Sequence, residues 1–371
     1  MKRLNLAVVA MLVVASAVMI GCPDNGVIKD GLVIVDDFPL LRVTALLEGF
    51  MSFWTGADSP LQVGDIVVGS DQGGFLRRLL ALGENLHEIF AETEFASLSE
   101  AVEDGLMADS VYYTPQDFID AGLSVEGNST LLDLSGTDIY RGYGVAVTIQ
   151  NGTLNCAPQI YLGATWDNHR LSTFDMDMNG VVTLNLDVRV AVDNQTPLSF
   201  ETDLIPPITA PIATSIGPIP VVGAARLRFP VGVVGYFEGD TYIQAGFDVT
   251  DAFSVDASWT RGAGWEKEID LFDFAANGHK PTWSVEIGAT ATLYIRVVGE
   301  VSLYESAEIG AWVKPYLTAD VSVVPAPQTF GLTLGVDAGA WYGLSIFDFQ
   351  ILGDSFTWNG PSQSWEWSTA D

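Results

Sequence analysis

Cysteine, histidine and basic side chains are all scarce in this sequence. Its 371 residues contain two cysteines and three histidines, and 16 lysines and arginines stand against 47 aspartates and glutamates. Two cysteines allow at most one disulfide, so the chain is not a disulfide-stapled scaffold. The formal net charge of -31 repels nucleic-acid phosphates and anionic lipid head groups, which excludes nucleic acid as a partner.

A long hydrophobic run occurs once, at the N-terminus. Lys2 and Arg3 precede an apolar stretch from Leu4 to Ile20, which is the arrangement of an export signal. Since no later run has a comparable length, a polytopic helical membrane protein is excluded. Several catalytic motifs are missing as well: the sequence has no G-x-S-x-G elbow, no P-loop and no HExxH.

The end of the apolar stretch resembles the lipobox of bacterial lipoproteins. Met19-Ile20-Gly21-Cys22 carries this resemblance, which implies a signal peptide over residues 1–21 and a lipidated Cys22 as the mature N-terminus. Buried acyl chains, at about 0.8 kcal/mol per CH₂, would then hold the protein to a membrane. Because Pro23 and not an aspartate follows the cysteine, the family's sorting rule favours the outer membrane or the cell surface. Ordinary secretion, with cleavage after Ala17 and a free Cys22 thiol, is the alternative.

The second cysteine, Cys156, has no partner within the chain once Cys22 is acylated, so the folded body is expected to lack disulfides. A cysteine with scattered histidines, namely His87, His169 and His279, is one source of a nucleophile and its base. A lone cysteine more often serves as a small buried hydrophobe, and we favour that role for Cys156.

The hydrophobic pattern predicts a mainly β protein in two parts. These are a small N-terminal β-rich module with short helices over residues 22–125 and a large antiparallel β-sandwich over residues 126–371. Within the module, Phe75–Leu79 is expected to pair with Glu88–Phe95. Two capping pairs predict the short helices, namely Ser97 with Glu100 and Thr114 with Asp117.

Strict alternation of side chains marks the sandwich. From Val181 to Val192, apolar and polar residues alternate as on a half-buried antiparallel strand. Turns are expected at Asn151-Gly152, Asn179-Gly180 and Glu238-Gly239-Asp240. The segment 206–220 carries five prolines. We expect it to cross between the sheets or to divide the sandwich, because proline is excluded from central strands.

Two stretches resemble parts of a class of secreted bacterial β-rich surface lipoproteins. One stretch comprises Val63–Val68, Gly74–Arg78 and Ala96–Ala101, and the other is Gly217–Val221 at the start of the strand-rich C-terminal half. The resemblance implies a signal-bearing β protein of the cell surface. The activity of that class is uncharacterised, so the resemblance carries over no catalytic residues.

The segment Asp175-Met176-Asp177-Met178-Asn179-Gly180 begins like a calcium-binding loop. In such loops, oxygen ligands at the first, third and fifth positions converge around a sharp turn at a glycine. The twelfth position, which should supply a bidentate glutamate, is Leu186. A strand entering an Asn-Gly hairpin turn is the favoured alternative. Calcium held by Asp175, Asp177 and Asn179 is the second hypothesis, and no other cofactor is expected.

Tryptophan is concentrated towards the C-terminus, where eight of the ten lie beyond residue 250. Aromatic rings on a β-sandwich can stack on sugar rings. Trp365 and Trp367 are two residues apart on a terminal strand, so both rings lie on one side of it. These two residues form the predicted glycan-binding site. Packing of the rings in the core is the favoured alternative.

Together the observations favour a lipid-anchored, non-catalytic surface protein with a binding or structural role. Its partner is then the membrane together with a glycan or another surface protein. The alternative is a carbohydrate-active protein, either a glycan-binding module or a polysaccharide hydrolase with acidic catalysts. A third hypothesis is an outer-membrane β-barrel, suggested by glycine- and aromatic-rich strands such as Phe330 to Phe347.

Overall fold

The computed structural model describes residues 27–56, 59–121, 123, 130–193, 196–285, 288–304, 307–322, 328–343 and 354–368. The predicted signal peptide and Cys22 lie outside these ranges. Most of the described residues lie in β-strands, which confirms the mainly β class. Of the helices described, none has the length and apolar character needed to cross a membrane.

Within the described ranges the chain forms 25 strands and two short α-helices. In chain order they are β1 (Val27–Ile28), β2 (Leu32–Ile34), β3 (Leu41–Leu47), β4 (Phe50–Thr55), β5 (Ile66–Gly69), β6 (Phe75–Asn85), β7 (Glu88–Phe95), α1 (Leu98–Ala101), β8 (Val102–Tyr112), α2 (Pro115–Asp120), β9 (Leu131–Asp133), β10 (Asp138–Gly142), β11 (Val145–Cys156), β12 (Gln159–Asp167), β13 (Arg170–Val192), β14 (Thr196–Asp203), β15 (Ile208–Ile216), β16 (Ile219–Arg228), β17 (Pro230–Glu238), β18 (Thr241–Thr260), β19 (Gly264–Gly278), β20 (Thr282–Val285), β21 (Gly288–Ile295), β22 (Val297–Leu303), β23 (Ala307–Ser322), β24 (Thr329–Gly343) and β25 (Asp354–Ser368).

Both helices begin where the capping pairs predict. The Ser97 backbone N–H donates to the Glu100 carboxylate at 2.8 Å, and the Thr114 backbone N–H donates to the Asp117 carboxylate at 2.6 Å. Each first turn is therefore closed by a side chain from its own helix, and these local signals suffice to fix the helix starts.

Six strands form a small sheet in the order β2-β5-β6-β7-β4-β3. β6 and β7 pair antiparallel with Arg77 opposite Phe95, which confirms the pairing predicted for these segments. One face of the small sheet packs on a separate hydrophobic core, which contains the fully buried Met51 and Phe53. The opposite face, which carries Val68, joins the main hydrophobic core of the molecule.

The first large sheet contains β1, β8 to β13 and β18 to β20. β13 runs through its middle, with β11 and β12 end to end on one side and β18 on the other, paired from Thr173 to Val192. β8 precedes residue 125 in the chain and pairs with β12. The hydrogen bonding of this sheet therefore begins inside the segment that the sequence assigns to the N-terminal module.

The second large sheet contains β14 to β17 and β21 to β25. At three positions in the sheet, two shorter strands lie end to end in place of one long strand. These end-to-end pairs are β14 with β15, β17 with β16, and β21 with β22. They lie on one side of β23, β24 and β25, which form an antiparallel meander.

Prolines lie at three of the interruptions in the two large sheets. Pro158 separates β11 from β12, Pro207 separates β14 from β15, and Pro281 separates β19 from β20. Proline suits such breaks because it has no N–H to donate to the sheet ladder. The segment 206–220 lies within one sheet, with Pro211 in β15 at the end of the strand order, and so it does not cross between the sheets as expected.

Of the three expected turns, one is confirmed. The chain turns at Gly239, whose φ is 81°, between β17 and β18. Asn151-Gly152 and Asn179-Gly180 lie instead within β11 and β13, so the turns predicted there are wrong. A Cβ on Gly152 would come within 2.6 Å of the Leu186 side chain, and one on Gly180 would come within 3.1 Å of Pro158. Close approach of a neighbour, and not a turn, is the reason for glycine at both positions.

The two large sheets pack face to face around a shared core, which confirms the sandwich. Gly299 of the second sheet faces Met178 of the first, and a Cβ on Gly299 would come within 2.7 Å of the Met178 sulfur. Between β19 and β24, the rings of Trp265 and Tyr342 stack with centres 3.7 Å apart. The inward side chains of both sheets are mostly buried and apolar, so their burial, at about 25 cal/mol per Å², drives the association.

Candidate functional site

Two cavities lined by residues that the structure describes are small. A cavity of about 30 Å³ between the large sheets is lined by aliphatic side chains, among them Ala245, Ala291 and Ala319, and a recess of about 60 Å³ lies beside Arg78. Small-molecule pockets typically have volumes of about 300–1,000 Å³. Neither of these two cavities holds a ligand of that size.

Aromatic side chains lie opposite glycines on the outer face of the second large sheet, the face turned away from the first. The cross-strand pairs are Trp341 with Gly310, Trp312 with Gly339, Tyr316 with Gly335 and Tyr294 with Gly232. A Cβ built on any of these glycines would overlap the ring opposite, so each ring lies over the glycine of the neighbouring strand. We call the four rings, together with Lys314, the aromatic face.

The rings of the aromatic face are accessible from the solvent. All four glycines are buried although they face outward, because the rings cover them. The four aromatic residues themselves are partly exposed. Since one side of each ring lies against a glycine backbone, the accessible surface belongs to the side turned away from the sheet. The aromatic face thus offers several ring surfaces that point in one direction.

A lysine lies among three of the rings. The Lys314 ammonium is 5.7 Å from the ring centre of Tyr294. It is 5.8 Å from the ring centres of Trp312 and Tyr316. Asp337, its cross-strand partner, forms an ion pair with it at 2.8 Å. Cation–π attraction and the ion pair act together, so this positive charge is both held in place and neutralised.

Polar groups border the aromatic face. The Tyr294 hydroxyl donates to the Glu201 carboxylate at 2.6 Å, and Arg296 pairs with the same carboxylate. Burial, followed by the hydrogen bond to Glu201, raises the pKa of Tyr294 to about 12. Burial, followed by the charge of Asp337, raises the pKa of Tyr316. Both phenols therefore stay neutral well above physiological pH.

The outer face of the first large sheet carries the residues of the predicted calcium site. Asp175, Asp177 and Asn179 alternate along the uninterrupted strand β13 and share this face. Successive members of such a row are about 7 Å apart, so their side chains do not converge as the ligands of a calcium loop do. Asp177 lies opposite Asp256, and burial, followed by the charge of Asp177, raises the pKa of Asp256.

Metal binding by these residues stays a prediction. Asn179 donates its side-chain amide to Asp177 at 2.8 Å, and Ser254 donates its hydroxyl to Asp177 at 3.2 Å, so the oxygens of the row are partly engaged. In the part of the chain that the structure describes, no cluster of three or more acidic, histidine or cysteine side chains is arranged to hold a metal ion.

A histidine lies between two carboxylates on the same outer face. His279 Nδ1 is 3.1 Å from Asp187 Oδ1, and His279 Nε2 is 3.0 Å from Asp248 Oδ2. Burial lowers the pKa of His279, but the hydrogen bonds and charges of both aspartates outweigh burial and raise it. Both nitrogens donate only in the imidazolium form. Because both are engaged, His279 is not a free general base, and we call these three residues the histidine clamp.

The predicted glycan-binding tryptophans pack against the core. Trp365 and Trp367 share one side of β25, as their spacing predicts, but their partners on β24, Leu332 and Phe330, are buried. The Trp367 ring meets the Phe330 ring edge to face at 6.1 Å. This side of β25 therefore faces inward, and the two rings complete the core along the edge of the sandwich.

The cysteine and the other two histidines lie on separate elements of the fold. Cys156 is buried at the end of β11 and is not in a disulfide. Burial raises the pKa of its thiol to about 12, so the thiolate needed for nucleophilic attack is scarce near neutral pH. His87 lies in the turn between β6 and β7, and His169 lies in the turn between β12 and β13.

The aromatic face was not among the sites predicted from the sequence, although two complementary patterns encode it. β23 carries Gly310-x-Trp312-x-Lys314-x-Tyr316, and β24 carries Gly335-x-Asp337-x-Gly339-x-Trp341. When the two strands pair antiparallel, each of these glycines lies opposite an aromatic residue, and the lysine lies opposite the aspartate. The match becomes visible only with the register of the pair, which neither strand reveals alone.

Comparisons with known proteins identify no relative: the chain matches no protein-family model, no curated protein and no solved structure. Its function is therefore inferred from the chemistry of its own residues.

Proposed function

We propose that this protein is an exported lipoprotein that binds a glycan at the outer membrane or cell surface and does not cleave it. The aromatic face is the observation that carries glycan binding, because four rings lie over glycines on one outer face of the sandwich. The anchor is supported by the export signal and by the lipobox-like Met19-Ile20-Gly21-Cys22.

Sugar rings and aromatic rings are complementary in shape and chemistry. A pyranose presents C–H groups on its faces and hydroxyl groups around its edge. The ring surfaces of Trp312 and Trp341 suit the C–H groups on the faces of the sugar. The Tyr294 hydroxyl and the Lys314–Asp337 pair suit the hydroxyl groups around its edge. Removal of aromatic surface from water supplies the favourable free energy, at about 25 cal/mol per Å².

The carboxylates of this surface favour binding over hydrolysis. A glycoside hydrolase needs two carboxyl groups about 5 to 10 Å apart, one as the acid and one as the base or nucleophile. Asp337 is paired with Lys314, and Glu201 is engaged by Arg296 and Tyr294. Both carboxylates thus hold the neighbouring cations in position. This role suits a surface that binds a glycan and does not cleave it.

Affinity electrophoresis tests the proposal. Full-length protein in mild detergent is run through native gels that contain a soluble β-glucan, xylan, mannan, polyuronate or sulfated galactan. We expect at least one polysaccharide to retard the wild type. Trp312→Ala and Trp341→Ala should each weaken the affinity about tenfold, which corresponds to about 1.4 kcal/mol of lost stacking. Release of reducing ends should stay at the background level.

Trp54→Ala is the matched control, because Trp54 is 40% exposed and lies on the small sheet, away from the aromatic face. Its affinity should equal that of the wild type, and thermal unfolding should show that all three variants are folded. The proposal fails if no polysaccharide retards the wild type, or if Trp54→Ala weakens retardation as much as the other two substitutions.

A further inference from the structure

We infer that the glycan is uncharged and extended, and that it lies along β23 and β24. This inference rests on the proposed function, since it names the ligand class of the aromatic face. Two observations carry it: the shape of the ring surface along the strands, and the pairing of the cations among and beside the rings.

The aromatic face is long in the strand direction. Trp341 covers position 310 of β23, and Tyr316 lies six residues further along, which is about 20 Å at about 3.3 Å per residue. Trp312 lies between them. Beyond Tyr316 the line continues with the hydroxyls of Thr318 and its cross-strand partner Thr333. An extended chain of several sugar units uses this whole length, whereas a single sugar meets one ring.

Three cations of this surface are already paired with carboxylates. Lys314 pairs with Asp337 at 2.8 Å, and Arg296 pairs with Glu201. Arg228 pairs with two carboxylates, those of Asp203 at 2.9 Å and Glu300 at 3.1 Å. A glycan carboxylate or sulfate that approaches Lys314 therefore meets a neutralised charge, and the formal net charge of -31 repels it at longer range.

Asp337 is thus the residue that sets the choice between uncharged and anionic glycans. Its side chain is 16% exposed and that of Lys314 is 27% exposed, so the pair is largely covered. Replacing the carboxylate by an amide leaves Lys314 as an uncompensated cation among three aromatic rings. A glycan anion could then supply the missing charge, because burying a cation without a partner is costly.

The test compares the wild type with Asp337→Asn in the full-length protein, by affinity electrophoresis on the uncharged and anionic polysaccharides named above. The wild type should bind an uncharged glycan at least about tenfold more tightly than any anionic one, and Asp337→Asn should raise the affinity for an anionic glycan about tenfold. Asp320→Asn is the matched control, since it changes the net charge equally and lies on the outer face of β23, four residues beyond Tyr316. It should give no such gain.

Ionic strength supplies a readout that needs no variant. Wild-type affinity for the uncharged glycan should change less than about twofold between about 0.05 and about 0.5 M salt, because no ion pair forms with the ligand. A wild type that binds anionic glycans as tightly as uncharged ones, or that loses affinity steeply with salt, contradicts this inference and leaves glycan binding standing. The inference is also contradicted if Asp337→Asn and Asp320→Asn raise the affinity for an anionic glycan equally. Absence of binding to every glycan overturns the proposed function itself.

Discussion

Trp341 and Gly310 are direct cross-strand partners, and the Trp341 ring occupies the space that a Cβ on Gly310 would fill. A glycine inside a strand usually costs about 0.5–1 kcal/mol of stability relative to alanine. Here that cost is offset by the packing of the Trp341 ring, which fits over Gly310 because this residue has no side chain. The relation makes the glycines of the aromatic face as necessary for its shape as the rings are.

Gly310→Ala should weaken glycan binding without removing any aromatic side chain. The new methyl group would overlap only the Trp341 ring among its nearest neighbours, so the ring must leave its place over β23. We expect a several-fold loss of affinity and a loss of about 1–3 kcal/mol in the free energy of unfolding, as for other overpacked sites. Affinity electrophoresis and urea unfolding measure the two effects.

Gly331→Ala is the control for that substitution. Gly331 lies on the outer face of β24, and the nearest atom to its Cβ would be 3.8 Å away, so no ring is displaced. Affinity should be unchanged and stability should shift by less than about 0.5 kcal/mol. If both substitutions weaken binding equally, displacement of the ring is not the cause.

Trp365→Ala should affect stability and not binding. The side chain packs against the buried core beside Leu332, so its removal should cost about 3 kcal/mol of unfolding free energy. The folded fraction should bind the glycan with wild-type affinity. A variant that keeps its stability but loses glycan binding would show that the glycan binds at β25 and not at the aromatic face.

The histidine clamp should make stability depend on pH. The pKa of His279 is raised above its ordinary value of about 6.5, so its contribution is fully present below that pH and is lost as pH rises through the folded-state pKa. Burial alone would raise the pKa of Asp248, but the hydrogen bond and charge of His279 lower it. That contribution is present above about pH 3.8 and is lost as pH falls.

Thermal unfolding of His279→Gln across pH checks this prediction. The difference in melting temperature from the wild type should be largest between about pH 4 and 6.5 and should shrink towards pH 9. A difference for His279→Gln that is constant across pH would show that only packing is lost.

Counting reactive thiols tests the anchor together with the burial of Cys156. With Cys22 acylated and Cys156 buried at a raised pKa, the native protein should offer no reactive thiol and the unfolded protein one of its two cysteines. Cleavage after Ala17 would give a reactive Cys22 in the native state and two thiols on unfolding. Mass spectrometry of the N-terminal peptide should show the diacyl group directly.

The features that could be predicted from the sequence are those whose signal is local. The capping pair of Ser97 and Glu100 and the turn at Gly239 depend on neighbours in the chain, and both are present. The turn signal at Asn179-Gly180 is overridden, because β13 pairs without interruption with β18 across this position. The spacing of Trp365 and Trp367 shows that the rings share a side, but only the packing of the sheets shows that this side is the inner one.

Mapping the bound glycan onto the chain tests the central claim most directly. A photoreactive derivative of the bound polysaccharide is cross-linked to the full-length protein, and the labelled peptides are identified by mass spectrometry. We predict labels in Ala307–Ser322 and Thr329–Gly343, removed by an excess of the unlabelled glycan. Labels confined to the outer face of the first large sheet, or to Asp354–Ser368, would contradict the account.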